Sequence, residues 1–167
     1  DPLEAQYLPD DVPFEKSGLH FVDIGAYDGD TLEAFRANKI PLKKVIAFEP
    51  DMNNYKKLCG RIKCHADYAE DIVLIPAGVG EKCFVTGFSD DASAASKMVS
   101  IEDSEHHIPV VPLDDALHGF APSYIKMDIE GAEESALLGM RNTVIKYRPM
   151  LAICVYHRPN DLFSIPL

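Results

Sequence analysis

Two acids and two glycines early in the chain have the types and spacing to hold a nucleoside. Asp23 closes the apolar run Leu19 to Val22 and is followed by Ile24-Gly25-Ala26-Tyr27-Asp28-Gly29-Asp30-Thr31. An apolar run, a glycine turn and a helical pattern containing Leu32 and Phe35 form a strand, a turn and a helix start, which lets a backbone approach a nucleotide-like ligand. The turn reads D-x-G-x-x-x-G, not the G-x-G-x-x-G of dinucleotide sites. Gly25 and Gly29 put no Cβ in a ligand's way and adopt positive φ without cost. Asp30 and Thr31 fall where a helix N-cap belongs, so unpaired backbone N–H groups there would face the ligand. Glu49 ends the next apolar run, Val45 to Phe48, where a carboxylate can accept two hydrogen bonds from a ribose diol. A carboxylate at Asp23 suits a cationic ligand and repels a pyrophosphate. Together these features point to S-adenosylmethionine (SAM).

Further along, Pro50 and Met52 could lie against an adenine ring, although Met52 also fits the core face of the following helix. Ala77 and Gly78, after the run Ile72 to Ile75, would stand at the adenine edge if that strand neighbours the second. In Tyr124-Ile125-Lys126-Met127-Asp128-Ile129-Glu130-Gly131-Ala132-Glu133, Lys126 and Asp128 interrupt an apolar strand, and buried charges need partners or a task. Asp128 is expected at the crevice with Glu130 two residues on. Glu133 is read as a helix-start acid favoured by the macrodipole. His157, following the run Leu151 to Val155, is placed to act as acid, base or donor.

These groups need a sheet to converge on. Strands are expected at 20–24, 44–49, 72–76, 123–128 and 150–156, short and apolar enough to be buried on both faces of a parallel sheet. Helices are expected at 30–39, 52–63 and 131–146. The second would bury Met52, Tyr55, Leu58, Cys59 and Ile62, and the third Ala132, Ala136, Leu137, Met140, Val144 and Ile145. Alternation of this kind argues for an α/β, doubly wound, mostly parallel fold. Residues 81–113 break the rhythm with a strand or hairpin (Cys83 to Phe88), a polar stretch (Ser89 to Ser104, with Ser93, Ser96 and Ser100) and a strand (Ile108 to Leu113). The polar stretch reads as a flap or a solvated loop.

At 167 residues, 47% hydrophobic and 26% charged, the chain fits one globular domain, residues 19–167, behind a Pro-rich lead-in, 1–18. Sixteen basic against twenty-seven acidic residues give a net charge of −11, which argues against nucleic-acid partners. Cys59, Cys64, Cys83 and Cys154 form no C-x-x-C pair, so zinc is disfavoured and a reduced, cytoplasmic setting is expected. No apolar run is long enough to span a membrane. The absent initiator Met and the abrupt end at Leu167 make both ends look cut.

The stretches Phe21 to Thr31, Ala47 to Asp51, Ile75 to Gly78, Val111 to Asp115, Ile125 to Glu133 and Tyr156-His157 resemble the FkbM family of SAM-dependent methyltransferases, in the family's order. Lys126-Met127-Asp128-Ile129-Glu130-Gly131-Ala132-Glu133 is the most specific block. The resemblance implies a class I methyltransferase fold, Rossmann-like, and methyl transfer to a hydroxyl of a small-molecule or sugar-containing acceptor. It puts Asp23, Gly25 and Gly29 at the methionine end of SAM, Glu49 at the ribose and Asp128 near the methyl. It also implies a further strand or hairpin beyond the fifth strand, so the domain reads as truncated there. Asp128, His157 and Glu130, in that order, are the candidate bases. A divalent metal held by the acids is an alternative the spacing does not favour, and no metal ligand is assigned. A SAM-binding or interaction module without turnover, and an NAD-dependent oxidoreductase, are the competing readings. Oligomeric state carries no signal.

Overall fold

Short Val-, Ile- and Phe-rich runs separated by glycine turns cannot bury their apolar faces singly, and they do so side by side in a twisted sheet. The computed structural model describes residues 7–8, 17–65, 67–89, 97–104 and 106–166. In chain order these form β1 (Leu19–Ile24), α1 (Asp30–Ala37), β2 (Leu42–Phe48), α2 (Met52–Cys64) and β3 (Asp71–Ile75). There follow β4 (Gly78–Val79), β5 (Phe84–Ser89), β6 (Lys97–Val99), a 3₁₀ turn (Ile101–Asp103), β7 (His106–Val111) and α3 (Leu113–Ala116). The chain then makes β8 (Tyr124–Met127), α4 (Glu133–Gly139), α5 (Arg141–Tyr147), β9 (Met150–Ile153) and α6 (Asp161–Ser164).

The main sheet has the order β3-β2-β1-β8-β9 and every pairing in it is parallel. Strand order reverses between β1 and β8, and this switch point opens a crevice at the carboxyl ends of the strands. The five expected strands are all present. Burial on both faces holds for β1 and β8, whereas the outer strands β3 and β9 are only half covered, with Val73 46% and Leu151 38% exposed.

Two apolar clusters hold the layers. On one face Phe21, Phe35 and Tyr124 pack with ring centroids 4.8, 5.5 and 5.8 Å apart. On the other, Val22, Ile24, Phe48, Leu113, Met127, Ala136 and Met140 meet. Each fully buried Val, Leu, Ile, Phe or Met side chain among them contributes about 1.5–3 kcal/mol of burial free energy.

Three expectations change. The single helix expected at 131–146 is two, because Met140 leaves helical geometry (φ −120°, ψ 12°) after Gly139, where a Cβ would strike the Gly80 carbonyl. The new helix start is capped from a distance: Asn142 and Thr143 N–H donate to the two Asp114 carboxylate oxygens at 3.0 and 2.7 Å. Ile145, expected in the core, is 62% exposed. Of the expected face of α2 only Leu58 is fully buried, and Met52 is 51% exposed.

Residues 78–111 add a second sheet, β4-β7-β5-β6, in which β5 pairs antiparallel with both β6 and β7. The described part of the polar stretch is built into that sheet. Ser104 Oγ accepts the Phe88 amide at 3.0 Å, and a Cβ at Gly87 would strike the Ser100 carbonyl. Residues 90–96 of that stretch, with Ser93 and Ser96, lie outside the described residues, as do residue 105 and most of the 1–18 lead-in. Its residue Tyr7 is 3% exposed and packs on β8 through a 2.8 Å hydrogen bond from the Tyr124 hydroxyl to the Tyr7 carbonyl. Among the described residues no helix is long and apolar enough to cross a membrane.

Candidate active site

The strand ends carry their hydrogen-bond ladder one step into the loops, which fixes the crevice floor. The Gly25 and Ala26 amides both donate to Phe48 O at 3.0 Å, Glu49 N to Ile75 O at 3.1 Å, and Asp128 N to Ile24 O at 3.0 Å. The turn after β1 is tight: Gly29 N–H bonds Ala26 O at 2.8 Å, and Gly25, Tyr27 and Gly29 have φ of 82°, 51° and 88°. The positive φ expected of both glycines is present. The space their missing Cβ leaves is filled by protein: a Cβ at Gly25 would strike the Asp128 carbonyl, and one at Gly29 would press Leu58 and Arg61. Glycine is thus needed to bring β1 against β8 and α2, before any ligand is considered. Gly29 itself is the N-cap of α1, and no side chain caps it. Asp30 is the first helical residue and takes the Thr31 amide at 2.6 Å, while Thr31 is 1% exposed.

Asp23 departs from its expected place. It is fully buried beside Lys126 in the β1–β8 register, and Lys126 Nζ lies 3.1 Å from Asp23 Oδ1 while donating to the Gly25 carbonyl. Burial pushes the Asp23 carboxyl up to about 6, with Lys126 pulling it back. Burial also works against the Lys126 charge, but Asp23 and Asp128 hold its pKa above the ordinary lysine value. The negative charge expected to attract a cation is therefore largely neutralised internally, and Asp23 acts on the turn through Lys126. Its two oxygens accept no hydrogen bond among the described residues.

Glu49 directly follows β2 at the carboxyl edge of the sheet. Tyr27 N–H donates to Oε2 and Asp51 N–H to Oε1, each at 2.8 Å. Each oxygen keeps a second lone pair, which fits a vicinal diol. Burial pushes this carboxyl up to about 7, against the two amides that lower it. Asp51 in turn caps α2, accepting the Asn53 and Asn54 amides at 2.7 and 2.8 Å. Tyr27 and Met52 are each 51% exposed and Pro50 is partly exposed, so this edge presents flat apolar surface. Ala77 is 3% exposed, and Gly78 is taken up by β4 in pairing with Val110.

At the other side of the switch point, Asp128, Glu130 and His157 come together. His157 Nε2 lies 3.2 Å from Asp128 Oδ1 and 3.5 Å from Glu130 Oε2. Sequence reasoning missed what surrounds them. Glu133, read as a plain helix-start acid, is fully buried; its Oε1 takes the Ile129 amide at 3.1 Å and lies 2.8 Å from His157 Nδ1. Full burial of an acid at that spot requires a partner, and the partner is 24 residues away. Tyr7 donates its hydroxyl to Asp128 Oδ2 at 2.8 Å, and Tyr156 approaches the same oxygen at 3.5 Å. Nothing in the Pro-rich lead-in signals Tyr7.

A parallel sheet with its switch point between β1 and β8, an acid ending the second strand and a glycine turn after the first define the Rossmann-like methyltransferase class of fold. The profile of the methyltransferase FkbM domain matches residues 23–164, and the chain belongs to that family. Among solved structures it is similar to methyltransferase FkbM from Methylobacillus flagellatus KT, with a TM-score of 0.79 and 30% sequence identity over 99% of this chain. The chain spans 40% of that protein's length. No curated protein matches it.

Proposed function

We propose that this domain binds SAM in the crevice between the β1 turn and the ends of β2 and β3, and transfers its methyl group to a hydroxyl of a small-molecule or sugar-containing acceptor. The observation that carries the reading is Glu49: a buried carboxylate fixed by two amides, with a lone pair free on each oxygen, beside a glycine turn and exposed Tyr27 and Met52. Asp23, Gly25, Ala26, Gly29, Asp30 and Thr31 shape that turn; Glu49, Tyr27, Pro50 and Met52 are the residues proposed to touch the nucleoside. SAM, when bound, supplies an electrophilic methyl on a cationic sulfur that keeps the electron pair as the C–S bond breaks.

The chain's own residues supply the rest. An acceptor oxygen must be aligned with the methyl, a positioning effect that can be worth about 7–11 kcal/mol. Its lone pair forms the new C–O bond and its proton must leave. Asp128 is the foremost candidate to take it, with His157 next and Glu130 third; a positioned base contributes about 10²–10⁴-fold. Asp128 already accepts a hydrogen bond from the Tyr7 hydroxyl and faces His157, so the site is arranged to receive hydrogen bonds from O–H groups.

Calorimetry with SAM, with NAD⁺ and with neither tests the binding half. Saturable heat with SAM alone is expected, whereas binding of NAD⁺ in its place would overturn the reading. Methyl transfer is then sought over a panel of hydroxyl-bearing sugars and glycolipids. SAM binding with transfer to no member would favour a module without turnover.

A further inference from the structure

We propose that Asp128, Glu130 and His157 form a binding site for a divalent cation of the Mn²⁺ or Mg²⁺ class. One ligand atom from each lies within 4.8 Å of the others. Ligands in cis positions about 2.1 Å from a shared ion stand about 3 Å apart, and His157 Nε2 lies 3.2 and 3.5 Å from the two carboxylates. The two separations from His157 are therefore close to those an ion would impose.

The state of His157 is the independent observation. Its side chain is only 8% exposed, and Nδ1 is held by the fully buried Glu133. A carboxylate on Nδ1 fixes the proton there and turns the Nε2 lone pair outward, the arrangement that orients metal-binding histidines. Nε2 faces the Asp128 and Glu130 carboxylates at 3.2 and 3.5 Å, on the side of the ring away from Glu133. Three carboxyl side chains, those of Asp128, Glu130 and Glu133, thus converge on one imidazole. The nearby Lys126 is committed to Asp23 and the Gly25 carbonyl. A dication set among Asp128, Glu130 and His157 would meet two carboxylates and an imidazole nitrogen at once.

The donors choose the class of ion. Two carboxylates and one imidazole, without thiolate, suit hard to borderline cations. The outer side chains are part open, Asp128 at 26% and Glu130 at 40%, so remaining coordination positions stay accessible to water or an acceptor oxygen. This deepens the proposed function and rests on it for its purpose: a cation there would acidify an acceptor hydroxyl where it must lose its proton.

Mn²⁺ titration of the metal-free protein, followed by the electron paramagnetic resonance of the free ion, tests the site without any turnover. One saturable ion is expected. Asp128→Asn and His157→Gln should each weaken it at least ten-fold, and Glu133→Gln by about 10–100-fold through loss of ring orientation. Glu130→Gln, at a more exposed position, keeps the test valid if a buried substitution unfolds the chain, as circular dichroism would reveal. No saturable binding at millimolar Mn²⁺, or binding indifferent to all four substitutions, overturns the site. SAM calorimetry on the metal-free protein separates the two proposals: SAM without Mn²⁺ binding sinks the cation site alone. Mn²⁺ without SAM binding leaves the site standing and removes the function proposed for it.

Discussion

The two sides of the switch point are built by different means. On the β1–β2 side, backbone amides do the holding: Tyr27 and Asp51 fix Glu49, and Gly25 and Ala26 share the Phe48 carbonyl. On the β8–β9 side, side chains hold side chains, with Tyr7, Tyr156 and His157 on Asp128 and Glu133 on His157. Backbone donors are fixed by the fold itself and need no ligand to arrange them. Side-chain clusters depend on how every member is paired and charged, so that side should respond to ions and to single substitutions far more sharply. The proposed function puts binding on the rigid half and chemistry on the adjustable one.

The contrast can be broken most directly at Asp128. Asp128→Asn should lower turnover by about 10²–10⁴-fold while SAM affinity measured by calorimetry stays nearly unchanged; a fully active variant would remove Asp128 from the reaction. Next in size is the link between the halves. Lys126→Met leaves Asp23 buried without a counter-charge and should cost about 3–5 kcal/mol in urea unfolding. That loss should shrink at acid pH, where Asp23 takes up a proton. An equal loss across the pH range would mean the pair does not tie the turn to β8.

Glu49 sharpens the comparison through pH. Its folded pKa of about 7 lies above the ordinary 4.5, so the folded protein holds a proton that the unfolded chain has lost between those values. The contribution of Glu49 to stability is thus full below about 4.5 and fades as pH rises through about 7. SAM affinity should run the other way, since ribose hydroxyls donate to the ionised form. About a ten-fold gain from pH 6 to pH 8 is expected for one such proton, and Glu49→Gln should bind weakly with a flat profile. A wild-type profile as flat as the variant's would place the ribose elsewhere.

The same division explains what the sequence made legible. The β1 turn and Glu49 are local: residues 23–31 and 45–49 carry their own strand, glycine and acid signals, and the parallel order follows from the alternation. The β8–β9 cluster joins residues 7, 128, 130, 133, 156 and 157, and no window spans them. Glu133 could be mistaken for a dipole acid because its partner is in another loop. The break after Gly139 was hidden for the same reason, since the Gly80 carbonyl and the Asp114 cap that impose it are both distant in sequence. Asp23 was legible as an interior acid, but its neutralisation needed the β1–β8 register, which sets Lys126 beside it.

Glu130 has φ of 57°, a backbone conformation that side chains other than glycine's occupy at a cost of about 1–3 kcal/mol. Glu130→Gly should therefore raise the melting temperature while weakening whatever the carboxylate holds. A variant selected for heat resistance would gain by giving up this side chain and would lose, with it, whatever the carboxylate holds.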